Sequence, residues 1–154
     1  GVSSFLIIFR KSSSDLISVE SSMIILDNLN EKYGFKDNAF VESKNLKVLK
    51  IVKEHGFRTL LWVENIKYWK RKEHKDSVYL AKMIRNQIKE LNPDAISCEY
   101  SMYPFLCDSF PEQNIHFWDT PKDFTPENVE FTKKLCNNKS VKVVLVDYPT
   151  PDIF

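Results

Sequence analysis

Glu99, His116 and Trp118 are the residues whose types and positions could do chemistry. Each stands at or near the C-terminal end of a short run with strand character, 95–100 for the first and 115–118 for the other two. In β/α barrels that end of a strand is the one that carries function. A carboxylate there either lines a pocket or is a solvated loop group, and Trp118 either walls a pocket or packs in the core. His116 and Trp118 are two residues apart and share a strand face, so His116 is the histidine aimed where a pocket would lie. One histidine is half of an acid/base pair, and a hydrogen-bonded interior group is the competing reading. His55 closes a helix and is expected to meet its last carbonyls. His74 is expected to be solvated, because it lies in the run Lys67 to Lys75, where five cations and two aromatics fall within nine residues. That mixture suits phosphate or lipid head groups, with a solvated loop as the plainer account.

The elements that must position these residues follow a regular rhythm. Six β-branched or aromatic runs occur at 5–9, 39–42, 59–63, 95–100, 115–118 and 141–146, each joined to the next by a connecting stretch that in most cases is long enough for a helix. Parallel strands cannot be joined by a hairpin and need about a dozen or more residues to return, so the pattern predicts an α/β fold with parallel strands and crossover helices. Six units are too few for an eight-stranded barrel, and 154 residues fall well short of the roughly 250 of a complete one. The expected fold is therefore an incomplete parallel β/α barrel of TIM type in a single domain.

Local signals set the expected helices. The first covers 19–33 with Met23, Leu26, Leu29 and Asn30 near one stripe and Gly34 as its stop. Ser43 is expected to cap a second helix whose Leu46, Leu49 and Val52 form the stripe and which Gly56 closes. Asp76 caps a helix carrying Leu80, Met83, Ile84, Ile88 and Leu91, ended by Asn92-Pro93, and Thr125 with Pro126 starts the last.

Composition narrows the partners. The chain is 43% apolar and 28% charged, with a net charge of +1, and a nucleic acid partner would normally demand a basic excess. No apolar run approaches the roughly 18 residues of a membrane span, and no membrane contact is expected. Cys98, Cys107 and Cys136 are an odd number at no metal-ligand spacing and read as small buried or half-buried thiols. The compartment is left open.

Against that strand order, the chain resembles the glycerophosphodiester phosphodiesterase family, whose barrel belongs with the phosphatidylinositol phospholipase C-like group. Pro93-Asp94-Ala95-Ile96-Ser97 with Tyr100 resembles the family's sixth barrel strand. Ile115-His116-Phe117-Trp118-Asp119-Thr120 is similar to the seventh, and Val143 to Pro149, with Asp147 before Tyr148-Pro149, is similar to the eighth. Phe40-Val41-Glu42-Ser43 and Ile8-Phe9-Arg10-Lys11-Ser12 are shorter likenesses.

The resemblance implies that the six units correspond to barrel strands 3 to 8, with the first two βα units lacking. It implies hydrolysis of glycerophosphodiesters, Lys11 at the phosphate, and Glu99, Tyr100, His116 and Trp118 in the substrate pocket. The departures weigh against catalysis by this chain alone. The family's N-terminal His-Arg pair, Glu-x-Asp and second His-Asp pair have no counterpart here, and Phe9 stands where a metal-binding Glu is expected. No cofactor is expected for this chain, and Mg or Ca only with the N-terminal portion supplied. The alternative is a non-catalytic relative that binds a small phosphorylated or polyol ligand or serves in assembly. Apolar edge strands at Phe5 and Val141 would then be covered by a preceding segment or by a homo-oligomer.

Overall fold

A computed structural model describes residues 5–8, 16–67, 76–120, 123 and 125–145. It divides into two compact units, residues 1–62 with 85–94 and residues 63–84 with 95–154.

The first unit contains β1 (Phe5–Ile8), α1 (Leu16–Tyr33), a 3-10 turn (Lys36–Asn38), β2 (Ala39–Ser43), α2 (Leu46–Glu54) and β3 (Arg58–Trp62). β1 pairs parallel with β2, which pairs parallel with β3, with Ile7 opposite Val41 and Val41 opposite Thr59. Side chains alternate across a strand, so Ala39 and Val41 share one face and Phe40 and Glu42 the other. Ala39 and Val41 pack with Val19 and Met23 of α1, Val48 and Val52 of α2, and Phe57, which together form the core beneath the helices. Gly34 (φ +63°) and Gly56 (φ +76°) stop α1 and α2 in the left-handed conformation that glycine adopts without strain.

Three expectations change here. The expected stripe holds at Met23, which is buried with Val19, and at Leu26, which packs against the core, but Leu29 is 41% exposed. Ile17, Ile24, Ile25 and Tyr33 are exposed as well, so the helix is apolar around much of its circumference. Ser43 stays in β2, and Asn45 caps α2, its side chain accepting from Lys47 N at 3.0 Å. His55 closes α2 as expected, its backbone N–H donating to Ile51 O and Lys53 O, but its side chain turns away. Its Nδ1 lies 2.5 Å from Asp27 and its Nε2 lies 3.1 Å from Glu20, both on α1. Lys36 adds to the helix end, donating to His55 O and to Asp27, each at 2.8 Å. Hydrogen bonds donated to Asp27 and then to Glu20 raise the His55 pKa, while those received from Lys36 and then His55 lower that of Asp27.

The helix α3 (Ser77–Leu91) starts at Asp76, which accepts from Tyr79 N at 2.9 Å, and buries Leu80, Ile84 and Leu91. Its residues through Ile84 belong to the second unit and those from Arg85 onward to the first. Asn92, in positive φ, and Pro93 end it.

The second unit further contains β4 (Ala95–Glu99), a 3-10 turn (Tyr100–Met102), α4 (Phe105–Ser109), β5 (Ile115–Trp118), α5 (Pro126–Cys136) and β6 (Val141–Val144). β4, β5 and β6 pair in parallel, with an irregularity in the β5–β6 ladder between Ile115 and His116. α5 opens as expected, with the Thr125 hydroxyl accepting from Asn128 N and Pro126 at the start. Phe117 is fully buried and meets the Tyr103 ring edge-on at 6.0 Å, and Tyr103 meets Phe131 of α5 at 5.9 Å. The face of β4 and β5 carrying Cys98 and Phe117 is thus the one covered by helices. The architecture is α/β, with every described pairing within the units parallel.

Candidate ligand-binding site at the strand ends

Parallel register decides which side chains stand together. Ser97 is opposite His116 and Glu99 is opposite Trp118, so these four share the face of β4 and β5 that Cys98 and Phe117 do not use. Neighbouring strands lie about 4.8 Å apart, which makes each pair near neighbours. The column is buried at its base, where Ser97 is 1% and His116 7% exposed, and opens toward Glu99 and Trp118, which are half-buried.

The loop after β3 completes this rim. Val63 N donates to Ser97 O at 2.8 Å, holding the loop's start against β4. Two residues on, the Asn65 amide Nδ2 donates to Glu99 Oε2 at 2.5 Å and to Ser101 Oγ at 2.8 Å. Asn65 Oδ1 accepts from Lys67 N at 2.7 Å, so the whole amide is engaged. Ile66 N reaches Met102 Sδ at 3.2 Å, a second tie between the loop and the turn after β4. Among the described residues no donor reaches the other carboxylate oxygen of Glu99.

Of the expected site residues, the structure brings Glu99, His116 and Trp118 onto one face and sets Tyr100 apart. The Tyr100 ring packs edge-on against Phe131 of α5 at 5.8 Å, in the helix layer. The strand ends at Glu99, so the next residue follows the chain's turn toward α5. Lys11, Phe9, Asp147 and the cationic run from residue 68 to 75 lie outside the described residues. Asn65, Ser97 and Ser101 were not expected. The signal for Asn65 was its place just past a strand, in the loop position where β/α folds keep functional groups.

The thiols take no part. Cys98 faces the helices, and burial raises its pKa well above the usual thiol value; burial, then Asp108, pushes Cys107 up to about 11. Cys136 is exposed, contrary to the expectation of a buried or half-buried thiol, because it ends α5 on its outer side.

A half-open carboxylate beside an aromatic side chain can accept hydrogen bonds from hydroxyls while the ring covers C–H surface. His116 supplies one proton-carrying group behind them. The donor set does not fit a divalent metal: Mg or Ca needs several oxygen ligands, and here one carboxylate is met by an amide N–H. Among the described residues no three His, Cys, Asp or Glu side chains are grouped to hold a metal ion. Nor is any described helix long and apolar enough to cross a membrane.

No family model and no curated protein matches the chain. Its fold is similar to the crystal structure of a glycerol uptake operon antiterminator-related protein from Thermotoga maritima, with a TM-score of 0.48 and 11% identity over 99% of this chain and 97% of that one. At that level the likeness carries nothing about function.

Proposed function

We propose that the chain is a glycerophosphodiester phosphodiesterase-like domain, an incomplete β/α barrel of TIM type whose ligand binds at the C-terminal ends of β4 and β5. The observation that carries this reading is the pairing of Glu99 with Trp118 at the last step of the β4–β5 ladder. The two fit the hydroxyl-bearing end of a glycerophosphodiester, Glu99 accepting from hydroxyls and Trp118 covering the carbon chain. The motif resemblance supplies the reaction class, hydrolysis of the phosphodiester.

A second reading is binding without turnover, of a small phosphorylated or polyol ligand. The sequence favours it through Phe9 in the place of a metal-binding Glu, and the site favours it because His116 is the one histidine on this face among the described residues, since phosphoryl transfer needs both a proton acceptor and a proton donor. Incubating the purified chain with glycerophosphocholine and magnesium or calcium, while following both choline release and binding heat, separates the two. Release of choline supports the phosphodiesterase reading, and heat without release supports the binder. Neither heat nor release contradicts both.

A further inference from the structure

Within the proposed site, and resting on that reading, we infer that Asn65 is a positioning residue that orients Glu99 toward the ligand. Its amide does three things at once. Nδ2 fixes Glu99 Oε2 at 2.5 Å and Ser101 Oγ at 2.8 Å, and Oδ1 anchors its own loop through Lys67 N at 2.7 Å. An amide cannot rotate to swap these partners, because Oδ1 would then face the Glu99 carboxylate, acceptor against acceptor.

With Oε2 held, Glu99 has one oxygen left for a ligand hydroxyl, on the side of β4 that it shares with Trp118. A glutamate side chain otherwise samples many rotamers, and ordering it only on binding would weaken the ligand. Asn65 orders it beforehand. It belongs to the loop after β3 and has no place on the ladder, so it acts on the ligand through Glu99.

The test uses the full chain and three variants. Asn65→Asp keeps the Oδ1 acceptor for Lys67 N but replaces the donor to Glu99 with an oxygen, so the loop turn survives while the contact becomes repulsive. Glu99→Gln removes the charge, and the double variant carries both changes. Carboxyl carbon NMR reads Glu99 directly, without any ligand. The expected result is that the Glu99 carboxyl signal moves at neutral pH in Asn65→Asp, because Oε2 loses its amide donor. Titration with sn-glycerol 3-phosphate is expected to show about a tenfold weaker affinity for Asn65→Asp and for Glu99→Gln. The double variant is expected to be no weaker than Glu99→Gln alone, because Asn65 acts through that carboxylate.

An unmoved Glu99 carboxyl signal would overturn the contact. A further loss in the double variant would overturn its role through Glu99. If the unaltered chain binds no sn-glycerol 3-phosphate, the ligand part of the inference fails, while the glycerophosphocholine experiment decides the proposed function and the NMR signal decides whether Asn65 holds Glu99.

Discussion

Glu99 and Trp118 are partners in the last step of the β4–β5 ladder, with buried Ser97 and His116 one step below them on the same face. A carboxylate and an aromatic side chain thus stand side by side at the strand ends, with the Asn65 amide fixing the carboxylate from the loop after β3.

Trp118 lies at the rim and Phe117 behind it, so the two should separate function from stability. Trp118→Ala is expected to weaken binding of glycerol-type ligands roughly tenfold, about 1.4 kcal/mol, with little change in the urea midpoint. Equal loss of stability in the variant would place Trp118 in the core instead.

Phe117 is fully buried and meets Tyr103 edge-on at 6.0 Å. Phe117→Ala is expected to cost about 3–5 kcal/mol, the usual range for emptying an aromatic site, and urea unfolding measures it. A loss below about 1 kcal/mol would contradict the packing described.

The clamp of His55 with Asp27 and Glu20 makes stability depend on pH. The folded pKa of His55 is raised, so its contribution is full below the unfolded value of about 6.5 and is lost as pH rises through the folded value. The folded pKa of Asp27 is lowered, so its contribution is full above the unfolded value of about 3.9 and is lost on acidification through the folded value. Urea midpoints are therefore expected to fall between pH 6 and pH 8, and His55→Asn should flatten that fall. An unchanged slope in the variant would assign the pH dependence to other groups.

Much of the fold was legible because its signals are local. Gly34, Gly56, Asp76, Asn92-Pro93 and Thr125-Pro126 each mark a boundary that the structure places where the backbone chemistry requires it. What sequence did not decide was tertiary. Spacing placed Met23 and Leu26 of α1 toward the core, but the helix carries apolar residues elsewhere too, and only packing leaves Leu29 exposed. His55 caps α2 as its position predicts, but the carboxylate partners of its side chain sit 28 and 35 residues earlier in the chain. In the site, period two places His116 and Trp118 together and the strand end marks Glu99, but only strand register pairs Glu99 with Trp118 and Ser97 with His116. Tyr100 departs from this face because the strand gives way to a 3-10 turn at that residue.

The outer side of α1 exposes Ile17 at 81%, Ile24 at 53%, Ile25 at 60% and Tyr33 at 63%. The four residues of β1 likewise carry no charge or proline. We expect sedimentation equilibrium of the chain to show concentration-dependent self-association that Ile24→Glu with Ile25→Glu abolishes. A monomer at every concentration would contradict it.

The most direct test of the proposed site is NMR shift mapping with glycerophosphocholine. Saturating ligand is expected to move the Trp118 indole N–H and the Glu99 carboxyl signals, with smaller changes at Asn65 and none at His55. Shifts confined to residues away from β4, β5 and the loop after β3, or no shifts at millimolar ligand, would contradict it.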